Sequence, residues 1–220
     1  MLKKQTFKKM KKLLLTLTAV AGLTFASQAQ EFGFKKTDFI VEGNLSANTT
    51  NNKETEKKTS TFNFNPSVGY FVSDKVAVGL DFNIGNSKNT DYSATADTYV
   101  KNNNFGIGAY GRYYFLDLSP RFKTYAQLSA GYNQFGGEIN NGTTTTDIAK
   151  TKGFGAGAGL GVNYFVTENI AINFGLTNLL SFNSKKVDVD GAKSSNEFNA
   201  NINSFNNFFD TAKFGLTFKF

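Results

Sequence analysis

Apolar residues alternate with small or polar residues along most of this chain. In the run VAVGLDFNI every second residue is apolar, namely Val76, Val78, Leu80, Phe82 and Ile84. The runs FGIGAYGRYYF and GFGAGAGLGVNYFV have the same period. A period of two indicates β-strands that present one apolar face.

Eight such runs are predicted as strands, near residues 38–47, 61–72, 76–86, 103–115, 122–134, 153–166, 170–182 and 208–220. Each has about the length, roughly 9–11 residues, that a tilted strand needs to cross a bilayer. Three connections are short, and four are long and polar, beginning at Asn48, Asn86, Gly136 and Asn183. This alternation is typical of an up-and-down barrel. We therefore predict an all-β fold, an eight-stranded antiparallel transmembrane barrel with periplasmic termini.

One phrase occurs twice in the chain. YFVSDKVAVGL begins at Tyr70, and YFVTENIAINF begins at Tyr164. The two copies are predicted to be hairpins half a barrel apart, with their aromatic residues at the membrane interface and their turns facing one compartment. Chance similarity between two β-hairpins is the alternative.

The apolar face could pack in a soluble sandwich or meet lipid. Lipid is favoured because the opposite face consists of Gly, Asn, Ser, Thr and Gln, which would make a poor sandwich core. The orientation follows from four charged residues that we place in the lumen: Glu42, Asp81, Arg112 and Lys213. In hydrocarbon, each Lys or Arg would cost about 2–4 kcal/mol at the midplane.

Neighbouring strands are predicted to pair Glu42 with Lys213 and Asp81 with Arg112. Two such ion pairs would form a neutral plug, and a gated ion path through the same charges is the alternative. A glycine wall should leave room for large lumen side chains from adjacent strands; it comprises Gly155, Gly157, Gly159 and Gly161.

The first 29 residues have the features of a signal peptide. Six lysines precede an apolar run from Leu13 to Phe25, and small residues precede a predicted cleavage between Ala29 and Gln30. Residues 1–29 contain six of the 24 basic residues and none of the 17 acidic ones, so the rest of the chain carries a net charge of only +1. The basic pI therefore gives no reason to expect nucleic acid as a partner. Export by the Sec route and a barrel domain over residues 30–220 are predicted.

The chain ends with KFGLTFKF, in which one face carries Phe214, Leu216, Phe218 and Phe220. This ending resembles the terminal strand signal of bacterial outer-membrane barrels. Together with the strand pattern, it makes residues 37–220 similar to the small eight-stranded outer-membrane β-barrel family of OmpX, the OmpA transmembrane domain and OmpW-like proteins. The resemblance implies insertion by the barrel-assembly machinery and contact with outer-membrane lipid and lipopolysaccharide. The missing Trp departs from the family's usual aromatic girdle, which leaves Phe and Tyr to form it.

Catalytic and cofactor signals are weak. GIGAYG, from Gly106, matches a dinucleotide motif but lies within a predicted strand instead of opening a helix. The chain has no His to serve as the usual base for acyl transfer, and no Cys. Asp188 and Asp190 match only a fragment of a calcium loop. We predict no cofactor, no metal and no enzymatic activity, and a lipid-modifying enzyme is a weak alternative.

The expected function is a structural or surface-interaction role, in envelope integrity or in adhesion through the long loops. The alternative is a narrow porin-like channel, or a lateral route for hydrophobic compounds. The protein is expected to be a monomer, with an extracellular partner that the loop composition does not name.

Overall fold

The computed structural model describes residues 31–93, 96–200 and 213–220. Contacts divide the chain into Met1–Phe32 and Gly33–Phe220, and the fold described here belongs to the second unit. The predicted signal peptide and its cleavage site lie outside the described residues. Within the described part, no helix is long and apolar enough to span a membrane.

The described residues form one antiparallel sheet of nine strand segments. These are β1 (Phe39–Asn52), β2 (Lys57–Ser73), β3 (Val76–Asp91), β4 (Thr98–Ser119), β5 (Phe122–Asn140), β6 (Thr145–Phe165), β7 (Ile170–Val187), β8 (Ser195–Ala200) and β9 (Lys213–Lys219). Each strand from β1 to β7 pairs with the next, and β9 closes the ring by pairing with both β7 and β1. The predicted all-β antiparallel barrel is confirmed.

The ring has eight positions, although nine segments are described. β8 and β9 share one edge of β7. β8 pairs with residues 180–185 of β7, and β9 pairs with residues 170–175. The predicted eighth strand is thus described only from Lys213, and β8 was not predicted. The sequence of β8, SNEFNA, lacks the apolar alternation on which the strand prediction depended.

Within the described residues, the predicted long loops are mostly strand. β4 has 22 residues and β6 has 21, about twice the number needed to cross a bilayer. The ladder between β4 and β5 continues to the pair Tyr99–Asn140, and the ladder between β1 and β2 continues to Asn52–Lys57. These strand ends were predicted as loops because both faces of a hairpin outside the membrane contact water. The apolar alternation therefore ends there, while backbone pairing continues.

The apolar face points outward, where a barrel meets lipid. Its members remain exposed in the isolated chain, and they include Leu45, Leu80, Ile84, Phe105, Leu128, Phe154 and Phe182. At the short-turn end, the Phe122 ring contacts the Tyr164 ring at a tilt of 42°, with ring centroids 4.7 Å apart, and Tyr70 lies opposite Phe39. Phe and Tyr therefore supply an aromatic girdle at this end.

The repeated phrase builds two hairpins with matching interiors. Phe71 pairs with Ala77 across the β2–β3 hairpin, and Phe165 pairs with Ala171 across the β6–β7 hairpin. All four side chains are buried inside the barrel. The prediction that the repeated aromatics lie at the interface is therefore wrong for Phe71 and Phe165, because adjacent residues of a strand point to opposite faces and only the tyrosines can face lipid.

Candidate functional site

An aromatic plug closes the lumen at the short-turn end, which faces the periplasm in barrels of this class. The plug consists of Phe34, Phe71, Tyr114 and Phe165. Phe34 precedes β1 and stacks on Phe71 with ring centroids 4.4 Å apart. Its centroid lies 4.8 Å from that of Tyr114 and 5.0 Å from that of Phe165. The two repeated hairpins thus supply opposite walls around one inserted ring.

Residues 33–38 form an N-terminal strap that holds Phe34 in place. The backbone amide of Thr37 donates to the carbonyl of Phe71 at 2.8 Å, and the amide of Phe71 donates to the carbonyl of Asp38 at 2.9 Å. The ammonium of Lys219 donates to the carbonyl of Gly33 at 2.9 Å. Gly33 has a φ of 122°, a conformation that glycine adopts readily. Both chain ends of the barrel therefore anchor the plug.

A buried ion pair lies above the plug. Arg112 Nη1 donates to Glu42 Oε1 and Arg112 Nη2 donates to Glu42 Oε2, each at 2.9 Å. The side chains are 5% and 8% exposed. Nε and Nη2 of Arg112 also donate to Gln127 Oε1 at 3.0 and 2.9 Å, and the guanidinium carbon lies 4.1 Å from the centroid of the Tyr125 ring. Arg112 is thus held on several sides, with its charge neutralised by a bidentate carboxylate.

Neutral polar side chains complete the hydrogen bonding of this pair. The hydroxyl of Thr217 donates to Glu42 Oε1 at 2.7 Å and accepts from Asn163 Nδ2 at 2.9 Å. Asn163 Oδ1 accepts from the hydroxyl of Tyr114 at 3.1 Å, and that hydroxyl also accepts from Arg112 Nη1 at 3.1 Å. The hydrogen bonds therefore connect the ion pair to Tyr114, a member of the aromatic plug. A fully connected buried network of this kind holds its members rigidly.

The partners in this ion pair differ from the predicted ones. Arg112 lies opposite Ala77 on β3, four residues from Asp81, which is about 13 Å along a strand. The arginine instead reaches across the lumen to Glu42 on β1. Glu42 lies opposite Thr217 of β9. Lys213 pairs through its backbone with Gly175, and its side chain lies outside the description.

The four glycines of the predicted wall lie on β6. A Cβ atom at Gly161 would collide with the Tyr125 ring, including Cε2 at 2.7 Å. The absent side chain gives Tyr125 the space to lie against Arg112. Gly155 and Gly157 line cavities higher in the lumen, and Gly159 lines one of them.

A polar lumen chamber begins above the Arg112–Glu42 pair. Its lower part has a volume of about 530 Å³. A second cavity of about 300 Å³ lies on the side of the long hairpins, and the two share Asp81, Asn83, Ser129 and Gly157. Four asparagines on the successive strands β1 to β4 form a row along the lumen wall: Asn44, Asn65, Asn83 and Asn104. In each neighbouring pair, the side-chain amide Nδ2 of the later residue donates a hydrogen bond to Oδ1 of the earlier residue.

The remaining predicted residues lie outside the lumen. Asp188 pairs with Lys152, with Asp188 Oδ2 2.6 Å from Lys152 Nζ, and this hydrogen bond lowers the pKa of Asp188. Asp190 lies in the exposed turn beyond β7. Among the described residues, no group of three or more His, Cys, Asp or Glu side chains could hold a metal. The face proposed as an assembly signal points outward and consists of Phe214, Leu216, Phe218 and Phe220.

Five residues of the site were not predicted from the sequence: Phe34, Tyr114, Gln127, Asn163 and Thr217. A signal existed for four of them. Tyr114 has the same strand parity as Arg112, and Gln127 alternates with the outward-facing Leu128. Asn163 continues the glycine face of β6, and Thr217 alternates with the terminal phenylalanines. Phe34 precedes the first strand, where strand parity carries no information.

The model of the outer membrane protein beta-barrel domain matches residues 14–220. The chain belongs to this family. Membership in the outer membrane protein beta-barrel family implies location in the outer membrane. No curated protein matches the chain.

Solved barrels show limited similarity to this family member. OprG from Pseudomonas aeruginosa is 15% identical over 86% of this chain and 98% of its own, with a TM-score of 0.44. Ail of Yersinia pestis is 11% identical over 85% of this chain and 100% of its own, with a TM-score of 0.41. The N-terminal barrel domain of OprF from Pseudomonas aeruginosa is 15% identical over 84% and 98%, with a TM-score of 0.35. At these values the likenesses carry no argument about function.

Proposed function

We propose that this protein is a non-enzymatic, non-conducting outer-membrane barrel that acts through its extracellular hairpins, in envelope integrity or adhesion. The single observation that carries the proposal is the double closure of the lumen by the aromatic plug and the Arg112–Glu42 pair. A solute that entered from the long-hairpin side would have to break a bidentate ion pair and then displace a stacked aromatic ring.

The extended hairpins are the surface left for interaction. Their strands continue well beyond the roughly 9–11 residues needed to cross the bilayer. Hydrogen-bonded ladders hold these extensions upright, so their tips form a preorganised surface, which lowers the entropic cost of binding. Outer-membrane lipid, lipopolysaccharide and an extracellular molecule are the partners that we propose, with the barrel-assembly machinery during biogenesis and a monomer as the working state.

A narrow channel is the second candidate, and the lumen chamber is the observation that favours it. A chamber lined with Asn, Ser and Gln can hold water and ions over part of the membrane thickness. Conduction would still require the Arg112 guanidinium to swing away from Glu42 and the N-terminal strap to withdraw Phe34.

Planar-bilayer conductance of the refolded mature protein tests the proposal. We expect the wild-type protein to be silent and a Phe34→Ala/Arg112→Ala variant to conduct, because both closures are then removed. Leu128→Ala, an outward-facing change, is the matched control and should stay silent. Discrete openings in the wild type that are abolished by Gly157→Phe would refute the closed-barrel proposal and establish the channel.

A further inference from the structure

Asp81 is a lumen carboxylate with no partner among the described side chains. It is half-buried on β3, and no hydrogen bond or ion pair with a described residue reaches it. Gly108 lies opposite it on β4, and a Cβ atom there would stand 2.9 and 3.0 Å from the two carboxylate oxygens. The glycine therefore makes room for the carboxylate at this position.

The position of Asp81 within the chamber suggests a site. Asp81 lines both the 530 Å³ cavity and the 300 Å³ cavity, so its carboxylate stands where the two meet. Ser129 and Asn83 stand at the same junction. The Glu42 and Arg112 charges cancel below it, so Asp81 gives the described part of the chamber a net negative charge. A cationic ligand that filled the chamber would stabilise the Asp81 carboxylate, which has no counter-charge among the described residues.

We propose that the lumen chamber binds a small organic ammonium compound that also carries hydroxyl groups, with Asp81 as its counter-charge. The volume favours such a compound over a bare metal ion, because cavities of roughly 300–1,000 Å³ suit small molecules. Metal binding is further disfavoured because, among the described residues, Asp81 is the one carboxylate at the junction of the two cavities, and hard cations prefer several oxygen ligands.

The chamber walls fit the hydroxyl groups of this ligand. Ser67, Gln127, Ser129 and Asn173 line the lower cavity, and Asn133 and Asn183 line the upper one. Amide and hydroxyl side chains both donate and accept hydrogen bonds, as ligand hydroxyl groups do. The ammonium would lie near Asp81, at the junction, and the hydroxyl groups would contact the surrounding wall.

A ligand would have to enter this site from the long-hairpin side, because the aromatic plug and the Arg112–Glu42 pair close the short-turn end. Like the proposed function, this inference rests on the closure of the lumen by the aromatic plug and the Arg112–Glu42 pair, but it does not depend on what the hairpin tips bind. A silent barrel in planar bilayers would be compatible with either outcome of the ligand test.

Glucosamine and glucose are a matched pair of probes, because they share their hydroxyl groups and differ in the ammonium. We would titrate each sugar into the refolded mature protein in detergent micelles, at a pH where the amine is protonated. The dissociation constant would be measured from the heat of binding by isothermal titration calorimetry. We expect glucosamine to bind at least about tenfold more tightly than glucose, as a charge-assisted hydrogen bond requires. Asp81→Asn should lower glucosamine affinity to that of glucose, while Asp188→Asn, an exposed carboxylate outside the lumen, should leave it unchanged.

Three results would overturn the proposal: no glucosamine binding to the wild type, equal binding of the two sugars, or full binding by Asp81→Asn. A Lys213→Met variant provides a further check, because binding that appears only in this variant would assign the role of counter-charge to Lys213. Amide chemical shifts of Ser129 and Gly157 on glucosamine addition locate the site, and shifts confined to the hairpin tips would also overturn it.

Discussion

The Arg112–Glu42 pair gives the sharpest prediction about stability. Arg112→Met keeps an unbranched, though shorter, side chain and removes the charge. Glu42 then retains the hydrogen bonds from Thr217 and Asn173, both to Oε1, and loses its partner at Oε2. Both side chains are at most 8% exposed, so water could reach the freed carboxylate only from the side that faces the lumen chamber. We expect a loss of about 3–5 kcal/mol in the free energy of unfolding, the usual cost of leaving a buried charge unpaired.

The double variant Glu42→Met/Arg112→Met separates pairing from packing. Replacing both partners of a buried ion pair with apolar residues is often neutral or stabilising. The double variant should therefore recover most of the stability lost by Arg112→Met. Asp81→Asn is the matched control, since it removes a lumen charge that has no described partner, and it should cost much less than Arg112→Met.

Urea titration in phospholipid vesicles provides the assay. The chain contains no Trp, so the folded fraction is better followed by the mobility difference between folded and heat-unfolded protein on gels. If Arg112→Met were as stable as the wild type, or if the double variant were no more stable than Arg112→Met, the proposed closure of a low-dielectric lumen by this pair would be refuted.

Two further substitutions test other parts of the molecule. Gly161→Ala should destabilise the barrel by about 1–3 kcal/mol, because its Cβ collides with the Tyr125 ring, whereas Gly111→Ala, with nothing within 4 Å of the added Cβ, should be neutral in the same urea titration. Equal costs at the two glycines would contradict this account of the glycine wall. Asp188 should titrate below its ordinary pKa because Lys152 donates a hydrogen bond to it, so Lys152→Met should raise that pKa, as measured by NMR of the carboxyl carbon. The folded-state pKa is the depressed one, so the stabilising contribution is present above the unfolded-state pKa and is lost as pH falls through the folded-state value; an unchanged pKa in the variant would show that the contact is absent in solution.

The alternation of apolar and polar residues was sufficient to predict the barrel, because contact with lipid requires this alternation along every strand that crosses the membrane. The outward positions must be apolar, and the cost of a charge in hydrocarbon placed Glu42 and Arg112 on the inner face. The same rule says nothing beyond the membrane, where both faces of a hairpin are wet. For that reason residues 98–100 of β4 and 145–152 of β6 were predicted as loop, and β8 was not predicted.

Strand parity assigns a residue to the lumen but does not choose its partner there. Arg112 is on β4 and Glu42 on β1, and the partner was predicted from adjacent strands because only adjacency can be counted along a chain. A long side chain inside a narrow ring can reach across it, so the pairing was decided by the barrel's register and by the space left at Gly161 for Tyr125. Likewise, the repeated phrase indicated two equivalent hairpins, but only the closed ring brought Phe71 and Phe165 to opposite sides of Phe34. The sequence by itself determined the fold and the face of each residue, because these follow from local periodicity and the solvent; the tertiary structure alone decided which lumen groups meet, because those contacts depend on distances across the ring.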